Sequence, residues 1–474
     1  MTARALRSPA QLFKLLAAEA AGLRAELERT PRSRLVPACR RLLRRSRVDR
    51  WHSRDRSGQE VGVVGKGTWR RPGCGAVASQ RPWLLVAVLV CLLAADCTRP
   101  DSRQATPTSQ GPAGPTRRDY WPTAGWRTAA PAEQGMDPAV VGELDAKVSG
   151  SYPQVRSLLI VRHGYLVYER YWHGLDASDG HDSFSVTKSI TSALVGIARK
   201  DRHLRGLEQT VGELLADHLP ANADPRLRRV TIRQLLTMTA GLAGDDASQG
   251  GDNQAWTGML QSHNWLRHIL SQRLVSKPGT EFAYSSASSH LLSAIVAETT
   301  GQSTLAYART KLFGPLGIRA DSALVQPIRT WPPSPALLGA YAQAPVAWAT
   351  DPQGYQVGFS WLKLPARDLA KFGYLYLNGG RWDGTQVVPA DYVGASTHSQ
   401  SKPPPSVPAD GYGYQWWTTT VASHRSFFAA GFAGQLIQVI PDLDLVVVLT
   451  SNIDQERNDA ENLVGETIVP AIAD

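Results

Sequence analysis

The sequence predicts an α/β fold of the α+β kind: an antiparallel sheet flanked by helices, with a mainly helical subdomain inserted at about residues 205–380. Two predicted strands, residues 155–161 and 165–171, are joined by Arg-His-Gly, which is typical of a hairpin turn. Further strands follow only after the insertion, between residues 412 and 451. An antiparallel sheet with flanking helices explains this order better than a βαβ repeat does.

Each remaining element is indicated by hydrophobic periodicity and by local start and stop signals. A helix is predicted over residues 137–148, with Pro138 in its first turn. The helix over residues 183–199 has apolar residues at helical spacing, which predicts one buried face. The other predicted elements are helices at 210–215, 232–238, 264–270, 289–299, 304–312 and 365–377, strands at 412–419, 425–430, 436–440 and 445–451, and a last helix at 457–472.

Composition and charge are those of a globular protein with an unusual N-terminal region. The chain has 474 residues, of which 43% are hydrophobic and 19% charged. Its net charge of +10 comes from residues 1–118, which hold 23 Lys and Arg against 8 Asp and Glu, whereas the remaining residues hold 28 against 33. The body therefore offers no basic face for phosphates, and nucleic acid is not an expected partner.

The first 120 residues predict export rather than catalysis. Residues 83–95 are an apolar run of the length found in secretory signals, and they are too few for a membrane-spanning helix. This run lies in a signal or anchor segment at 63–97, between a basic extension at 1–62 and a Pro-, Ser- and Thr-rich linker at 98–120 that is typical of disorder. The folded body of the protein is predicted over residues 121–474. The basic extension is either an unusual cytoplasmic segment or the result of a translation start assigned too far upstream.

The cysteines bear on export and on the class of nucleophile. All four precede residue 121, which excludes a cysteine nucleophile and a thiolate metal cluster in the body. Cys97 follows the apolar run as a lipoprotein attachment cysteine does, although Asp96 occupies the position where that signal has a small residue. We therefore expect an exported protein, secreted or attached to the membrane through its N-terminal segment. A buried core helix is the alternative interpretation of the apolar run.

The residues that carry chemistry begin with Ser185-Val186-Thr187-Lys188. The sequence has no HExxH, GxSxG, GxxxxGK[ST] or strand-associated GxGxxG pattern, which excludes the common zinc protease, α/β-hydrolase, nucleotide-hydrolase and dinucleotide-binding sites. A second Ser-x-x-Lys, at residues 399–402, is followed by three prolines that prevent a helix. Ser185 instead begins a helix, where the three-residue spacing places its hydroxyl and the Lys188 amine on one face.

The position of this motif favours nucleophilic catalysis. A helix N-terminus stabilises negative charge developing on the serine oxygen, and partial burial lowers the pKa of the amine toward a value suited to proton abstraction. The motif therefore predicts Ser185 as the nucleophile and Lys188 as its base. In the alternative interpretation, Ser185 only caps the helix and Lys188 points into solvent.

Together with four further segments in the same order, the motif resembles the serine β-lactamase and penicillin-binding-protein superfamily. The resemblance covers residues 130–470 and is closest to the class C-like branch, which includes family VIII-type esterases, D-aminopeptidases and 6-aminohexanoate-dimer hydrolases. It implies a β-lactamase/transpeptidase-like fold. Met238 and Ala240 replace a His and a Ser often found in the family. The matching segments are FSVTKSITSALVG (184–196), VTIRQLLTMTAGL (230–242), PGTEFAYSS (278–286), GYGYQWW (411–417) and FFAAGFAGQLIQVIPDLDLVVVLTSN (427–452).

The resemblance implies a role for each matching residue. Tyr284 matches the Tyr of the family's Tyr-x-Asn, whose phenol shares the general-base role with the lysine and protonates the leaving group. We expect the neighbouring ammonium to lower the pKa of this phenol. Ser286 stands in place of the Asn that contacts the substrate amide. Gly431 lets the backbone approach the substrate, and the Phe432 N–H forms the oxyanion hole with that of Ser185.

The segment at residues 429–431 departs most from the family's pattern, because Ala429-Ala430-Gly431 stands in place of the family's Lys-Thr-Gly motif. The missing lysine is the cation that holds a substrate carboxylate in penicillin recognition. Its absence favours neutral esters or amides as substrates.

Several other residues are weaker candidates for the site. Three tryptophans either line an apolar acyl pocket or are core aromatics: Trp172, Trp416 and Trp417. Two rival motifs rank below Tyr284: Tyr376-Leu377-Asn378, which is typical of a helix end, and Ser262-His263-Asn264.

The expected function is hydrolysis of a small-molecule ester or small amide through an acyl-enzyme on Ser185, with no metal and no cofactor. Two alternatives stay open. One is a β-lactamase or D,D-carboxypeptidase, and the other is a catalytically inactive binding domain on the same fold.

Overall fold

An antiparallel sheet of seven strands is the framework of the computed structural model, which describes residues 118–245, 253–452 and 459–472. The strands are β1 (Val155–Arg162), β2 (Tyr165–Tyr171), β3 (Gly180–Asp182), β4 (Ala347–Trp348), β5 (Leu362–Pro365), β6 (Arg381–Trp382), β7 (Thr385–Gln386), β8 (Gly411–Tyr412), β9 (Trp417–Val421), β10 (His424–Gly431), β11 (Gln435–Ile440) and β12 (Leu445–Ser451). The order in the large sheet is β2-β1-β12-β11-β10-β9-β8, and two smaller sheets have the orders β3-β5-β4 and β6-β7.

The hairpin of β1 and β2 turns where the sequence predicts it. His163 and Gly164 have φ values of 50° and 87°, the left-handed conformation that two-residue hairpin turns favour. β1 also pairs with β12, with Leu159 opposite Val448, and both strands are buried along almost their whole length. The centre of the sheet is therefore covered on both faces.

Helices supply that cover. They are α1 (Pro138–Gly142), α2 (Leu144–Ser151), α3 (Val186–Lys200), α4 (Val211–Leu214), α5 (Ile232–Leu236), α6 (Asn253–Gln261), α7 (Trp265–Leu270), α8 (Ser286–Thr300), α9 (Thr304–Ala308), α10 (Pro335–Gln343), α11 (Ala366–Leu377) and α12 (Ala390–Ser396). α11 packs closely on β11 and β12, because a Cβ at Gly373 would lie 2.7 Å from side-chain atoms of Ile437 and Val446. α1, α2 and the C-terminal turns cover the opposite face.

The predicted architecture is confirmed, and several predicted boundaries are wrong. The single helix predicted over 137–148 is two helices, α1 and α2, because Gly142, a poor helix former, ends the first. Gln415, with a φ of 62°, interrupts the strand predicted over 412–419, which is therefore split into β8 and β9. α6, α10 and α12 were not predicted. The described part of the predicted last helix consists of a 3₁₀ turn at Asp459–Glu461 and a π turn at Val464–Ile468.

α3 is buried on every side rather than on one face. All residues from Val186 to Ala198 are buried, because the helix lies between β10 of the sheet and α8 of the insertion. This central position places the start of α3 where the two parts of the domain meet.

The basic extension, the signal segment and Cys97 lie outside the described residues. Within the described ranges, no helix combines the length and the apolar character that crossing a membrane requires.

Candidate active site

Ser185 lies at a sharp turn between β3 and α3. Phe184 has a φ of 43°, which is uncommon for a large side chain, and its N–H donates to Asp182 Oδ1 at 3.0 Å. The N–H and the hydroxyl of Ser183 both donate to the carbonyl of Leu362. These contacts on both sides hold the turn and fix the Ser185 hydroxyl at the N-terminus of α3.

Lys188 faces Ser185 across one helical turn. Its Nζ donates to Ser185 Oγ at 3.0 Å, to Ser286 Oγ at 3.3 Å and to the Phe359 carbonyl at 3.5 Å. Lys188 is 1% exposed, which excludes the interpretation in which it points into solvent. Burial lowers its pKa to about 8, although the Asp245 carboxylate opposes that shift. A neutral amine, able to accept the serine proton, is thus available near neutral pH.

Tyr284 meets this pair from the segment before α8. Its ring centroid lies 4.6 Å from Lys188 Nζ, and its phenol is a hydrogen-bonding neighbour of the Ser185 side chain. The ring stacks on Trp417 with centroids 5.5 Å apart. Burial raises the pKa of the phenol well above its usual value, and the contact with Ser185 offsets only part of that shift. The predicted lowering of this pKa is therefore wrong, because desolvation outweighs the contact with Ser185, and the Asp245 carboxylate raises the pKa further.

Ser286 and Asp245 complete the surroundings of the amine. The Ser286 hydroxyl faces Lys188, and the Ser286 N–H donates to both carboxylate oxygens of Asp245 at 2.9 and 2.8 Å. The Asp245 N–H in turn donates to the Tyr284 carbonyl at 2.8 Å. Asp245 was not predicted as a site residue, because it belongs to none of the recognised motifs and lies 41 positions from Ser286.

β10 runs beside the turn that carries the predicted nucleophile, residues 183–185, which we call the nucleophile turn. The strand ends at Gly431. A Cβ on Gly431 would lie 2.5 Å from the Ser183 carbonyl oxygen and 3.1 Å from Phe184 Cβ, so this approach requires glycine. The close contact is thus with the backbone of the turn itself. Among the described residues, neither the Ser185 nor the Phe432 N–H takes part in the backbone hydrogen bonds outside helices and strands, and their role as an oxyanion hole stays a prediction.

Only Trp417 of the three candidate tryptophans reaches the site, through its stacking on Tyr284. Trp416 is fully buried in the main core. Trp172 donates to Asp145 and packs in the second core, which covers the other face of the sheet. An acyl-pocket role is therefore wrong for Trp172 and Trp416, and the alternative that they are core aromatics is confirmed.

The rival motifs have structural roles. Asn264 caps α7 by accepting the Arg267 N–H at 2.8 Å. Asn378 follows α11 and donates to the Tyr374 carbonyl at 2.8 Å. Ser401, in the second Ser-x-x-Lys, donates to a backbone carbonyl. None of these motifs contributes to the group of residues around Ser185.

The chain is similar in sequence and in fold to known proteins. The sequence profile described as Beta-lactamase matches residues 143–466. Penicillin-binding protein 4 of Amycolatopsis lactamdurans is 27% identical over 292 residues, which cover 57% of this chain and 71% of that protein.

Two solved structures show the same fold. EstCE1, a hydrolase with promiscuous acyltransferase activity, is 17% identical with a TM-score of 0.55, covering 70% of this chain and 97% of its own. A Bacillus anthracis protein, to which 6-aminohexanoate-dimer hydrolase activity is ascribed, is 19% identical with a TM-score of 0.54. The match covers 73% of this chain and 86% of that protein. Because the matched profile spans more than half of the chain and includes Ser185, Lys188 and Tyr284, the chain belongs to the beta-lactamase family of serine hydrolases.

Proposed function

We propose that this protein hydrolyses esters or small neutral amides through an acyl-enzyme on Ser185. The observation that carries the proposal is the contact of a hydroxyl, a buried amine and a buried phenol: Lys188 Nζ lies 3.0 Å from Ser185 Oγ and 4.6 Å from the centre of the Tyr284 ring. A binding domain would have no need for an amine whose pKa is lowered to about 8 beside a serine hydroxyl.

The two pKa shifts support the following roles. Neutral Lys188 takes the proton of Ser185 as Oγ attacks the carbonyl carbon, and the N–H groups of Ser185 and Phe432 stabilise the oxyanion. Tyr284, protonated because it is buried, donates its proton to the departing oxygen or nitrogen, and the Lys188 ammonium replaces that proton. Water then attacks the acyl group with Lys188 again as base, and the proton returns to Ser185.

The strand beside the nucleophile favours neutral substrates. Ala429 stands where penicillin-recognising relatives carry a lysine, and it is 1% exposed and packed in the main core. The neighbouring Ala430 packs against the aromatic cluster that includes Tyr284. No cation at these positions is available to hold a substrate carboxylate, which argues against β-lactam and peptidoglycan substrates.

Turnover of chromogenic substrates tests this proposal. We expect hydrolysis of p-nitrophenyl esters and of small linear amides, loss of nearly all activity in Ser185→Ala, and little turnover of nitrocefin. Nitrocefin hydrolysis faster than that of every ester would favour a β-lactamase, and ester hydrolysis that persists in Ser185→Ala would refute Ser185 as the nucleophile.

We also propose that the protein is exported and acts outside the cytoplasmic membrane, secreted or attached through its N-terminal segment. The apolar run at residues 83–95 and the cysteine after it, Cys97, support this. Fractionation of producing cells, with fatty-acid labelling of the wild type and of Cys97→Ser, tests the proposal. Recovery of the full-length chain in the cytosol would contradict export.

A further inference from the structure

Two turns each present an aromatic ring beside the nucleophile. Phe184 directly precedes Ser185, and Phe432 directly follows Gly431 at the end of β10. Their ring centroids are 5.6 Å apart in an edge-to-face arrangement. Phe432 is 36% exposed and is the one aromatic among the exposed large hydrophobic residues of the described chain. An apolar surface is thus open to solvent at the residues that adjoin Ser185 and Gly431 in the chain.

The backbone holds this ring pair in place. Gly431 brings the end of β10 against Ser183, so the two turns are in contact below the rings. Phe184 keeps its left-handed conformation through the hydrogen bond from its N–H to Asp182. Asparagine or glycine adopts that conformation with less strain, so an aromatic side chain occupies a position that disfavours it. Such strain at the residue before a nucleophile is typical of a functional constraint.

Catalysis determines which part of a substrate meets the ring pair. The leaving group must face the Tyr284 phenol that protonates it. The aromatic neighbours of Tyr284 in the described chain are Trp417 and Tyr412, and they include neither Phe184 nor Phe432. The acyl chain, which is the other substituent of the carbonyl carbon, is therefore directed away from Tyr284.

We propose that Phe184 and Phe432 bind the acyl chain of the substrate and select a chain that is apolar and uncharged. This inference rests on the proposed function and specifies the substrate class of the same site. An anionic chain is disfavoured, because the buried Ala429 replaces the cation that the family resemblance places at this position. Aliphatic or aryl acyl groups supply the apolar contacts that two rings accept.

Two ester series that vary one side of the bond at a time test the proposal. The acyl series is p-nitrophenyl acetate, butyrate, hexanoate and hemisuccinate, and the alcohol series is methyl, butyl and hexyl acetate. In the wild type we expect kcat/KM to rise from acetate to hexanoate and to be lower for hemisuccinate than for butyrate. Phe432→Ala is expected to lower the hexanoate-to-acetate ratio about tenfold, since a few methylenes in an apolar site are worth at least that factor.

Matched variants separate this role from a loss of folding. Phe432→Leu keeps an apolar side chain and should retain most of the hexanoate-to-acetate ratio of kcat/KM. Val325→Ala removes another exposed hydrophobic side chain, which shares a surface cleft with Arg309 and Gln353, and should leave both series unchanged. The proposal would be overturned if Phe432→Ala lowered kcat/KM equally for every ester. It would also be overturned if the decrease in kcat/KM grew with the length of the alcohol rather than with that of the acyl chain.

Failure of the proposed function itself has a different signature. In that case the wild type would hydrolyse no ester of either series, and a fluorophosphonate would not label Ser185. The wild type could instead be labelled and hydrolyse esters, but with the same kcat/KM for every ester of the acyl series. That result refutes the acyl-binding role of the ring pair, while the hydrolase function stands.

Discussion

At the scale of single residues, the site depends on two pKa shifts around one hydroxyl. Burial lowers the pKa of Lys188 to about 8 and raises that of Tyr284, since in each case a low-dielectric environment disfavours the charged form. In the proposed reaction these shifts favour the amine as the base and the phenol as the acid, whereas the family resemblance implied that the phenol both shares the base role and protonates the leaving group. Motif recognition identified both residues, but the sign of the Tyr284 shift depends on its burial by neighbours such as Trp417.

The pH dependence follows from Lys188. We expect kcat/KM for an ester to rise with pH around a midpoint near 8 and then to level off, because only the deprotonated amine accepts the serine proton. Tyr284 adds no falling limb below pH 10, since its pKa is raised. Initial rates between pH 6 and 10, corrected with Ser185→Ala, measure the profile. A rate that decreases from pH 7 to 9 would rule out Lys188 as the base.

Asp245 provides a second test at this scale. Its carboxylate raises the pKa of Lys188, so Asp245→Asn should move the midpoint of the pH profile to lower pH, while the amide oxygen still accepts the Ser286 N–H. Asp442→Asn removes the same charge at the opposite end of β11 from Gly431 and should leave the midpoint unchanged. A midpoint that stays fixed, or moves upward, in Asp245→Asn would contradict this electrostatic role.

At the scale of elements, the sequence predicted the parts with strong local patterns. The hairpin at 155–171, α3, α8 and the closing strands were all found, because period-2 and helical patterns reflect the burial of each segment. Contacts between distant segments leave no such pattern. The approach of β10 to the nucleophile turn is one of these: Gly431 was expected to let the backbone approach the substrate, whereas its close contact is with Ser183.

Gly431→Ala tests this approach. The added Cβ would meet the Ser183 carbonyl oxygen at 2.5 Å and displace either the turn or the end of β10. We expect kcat/KM to fall about 100-fold, since displacements of about 1 Å have effects of this size. Gly394→Ala in α12 meets no atom within 4 Å and should keep full activity with a slightly raised free energy of unfolding. Equal activity of the two variants would show that the close approach has no catalytic consequence.

At the scale of the whole molecule, the first described residues tie together elements that are distant in sequence. Arg118 donates to both carboxylate oxygens of Asp444, between β11 and β12, at 2.6 Å, and the side chains of this pair are 7% and 15% exposed. The Tyr120 hydroxyl donates to the carbonyl of Gly164 in the β1–β2 turn. The segment at 118–129 thus secures the edge of the sheet that is opposite β8.

Two shortened chains test the contribution of this segment. A chain that begins at residue 118 should match the activity and the stability of the full protein. A chain that begins at residue 129 should lose about 3 kcal/mol or more in free energy of unfolding, because it leaves Asp444 without its buried partner. Urea unfolding followed by tryptophan fluorescence measures the difference. Equal midpoints for the two chains would assign the segment no role in stability.

The measurement that tests the central claim most directly is covalent labelling with a fluorophosphonate, followed by mass spectrometry of the digested protein. The structure predicts one adduct, located on Ser185, formed in the wild type and absent from Ser185→Ala. Lys188→Met should label far more slowly, because the hydroxyl then lacks its base. No adduct in the wild type, or equal labelling of Ser185→Ala, would contradict the assignment of Ser185 as an activated nucleophile.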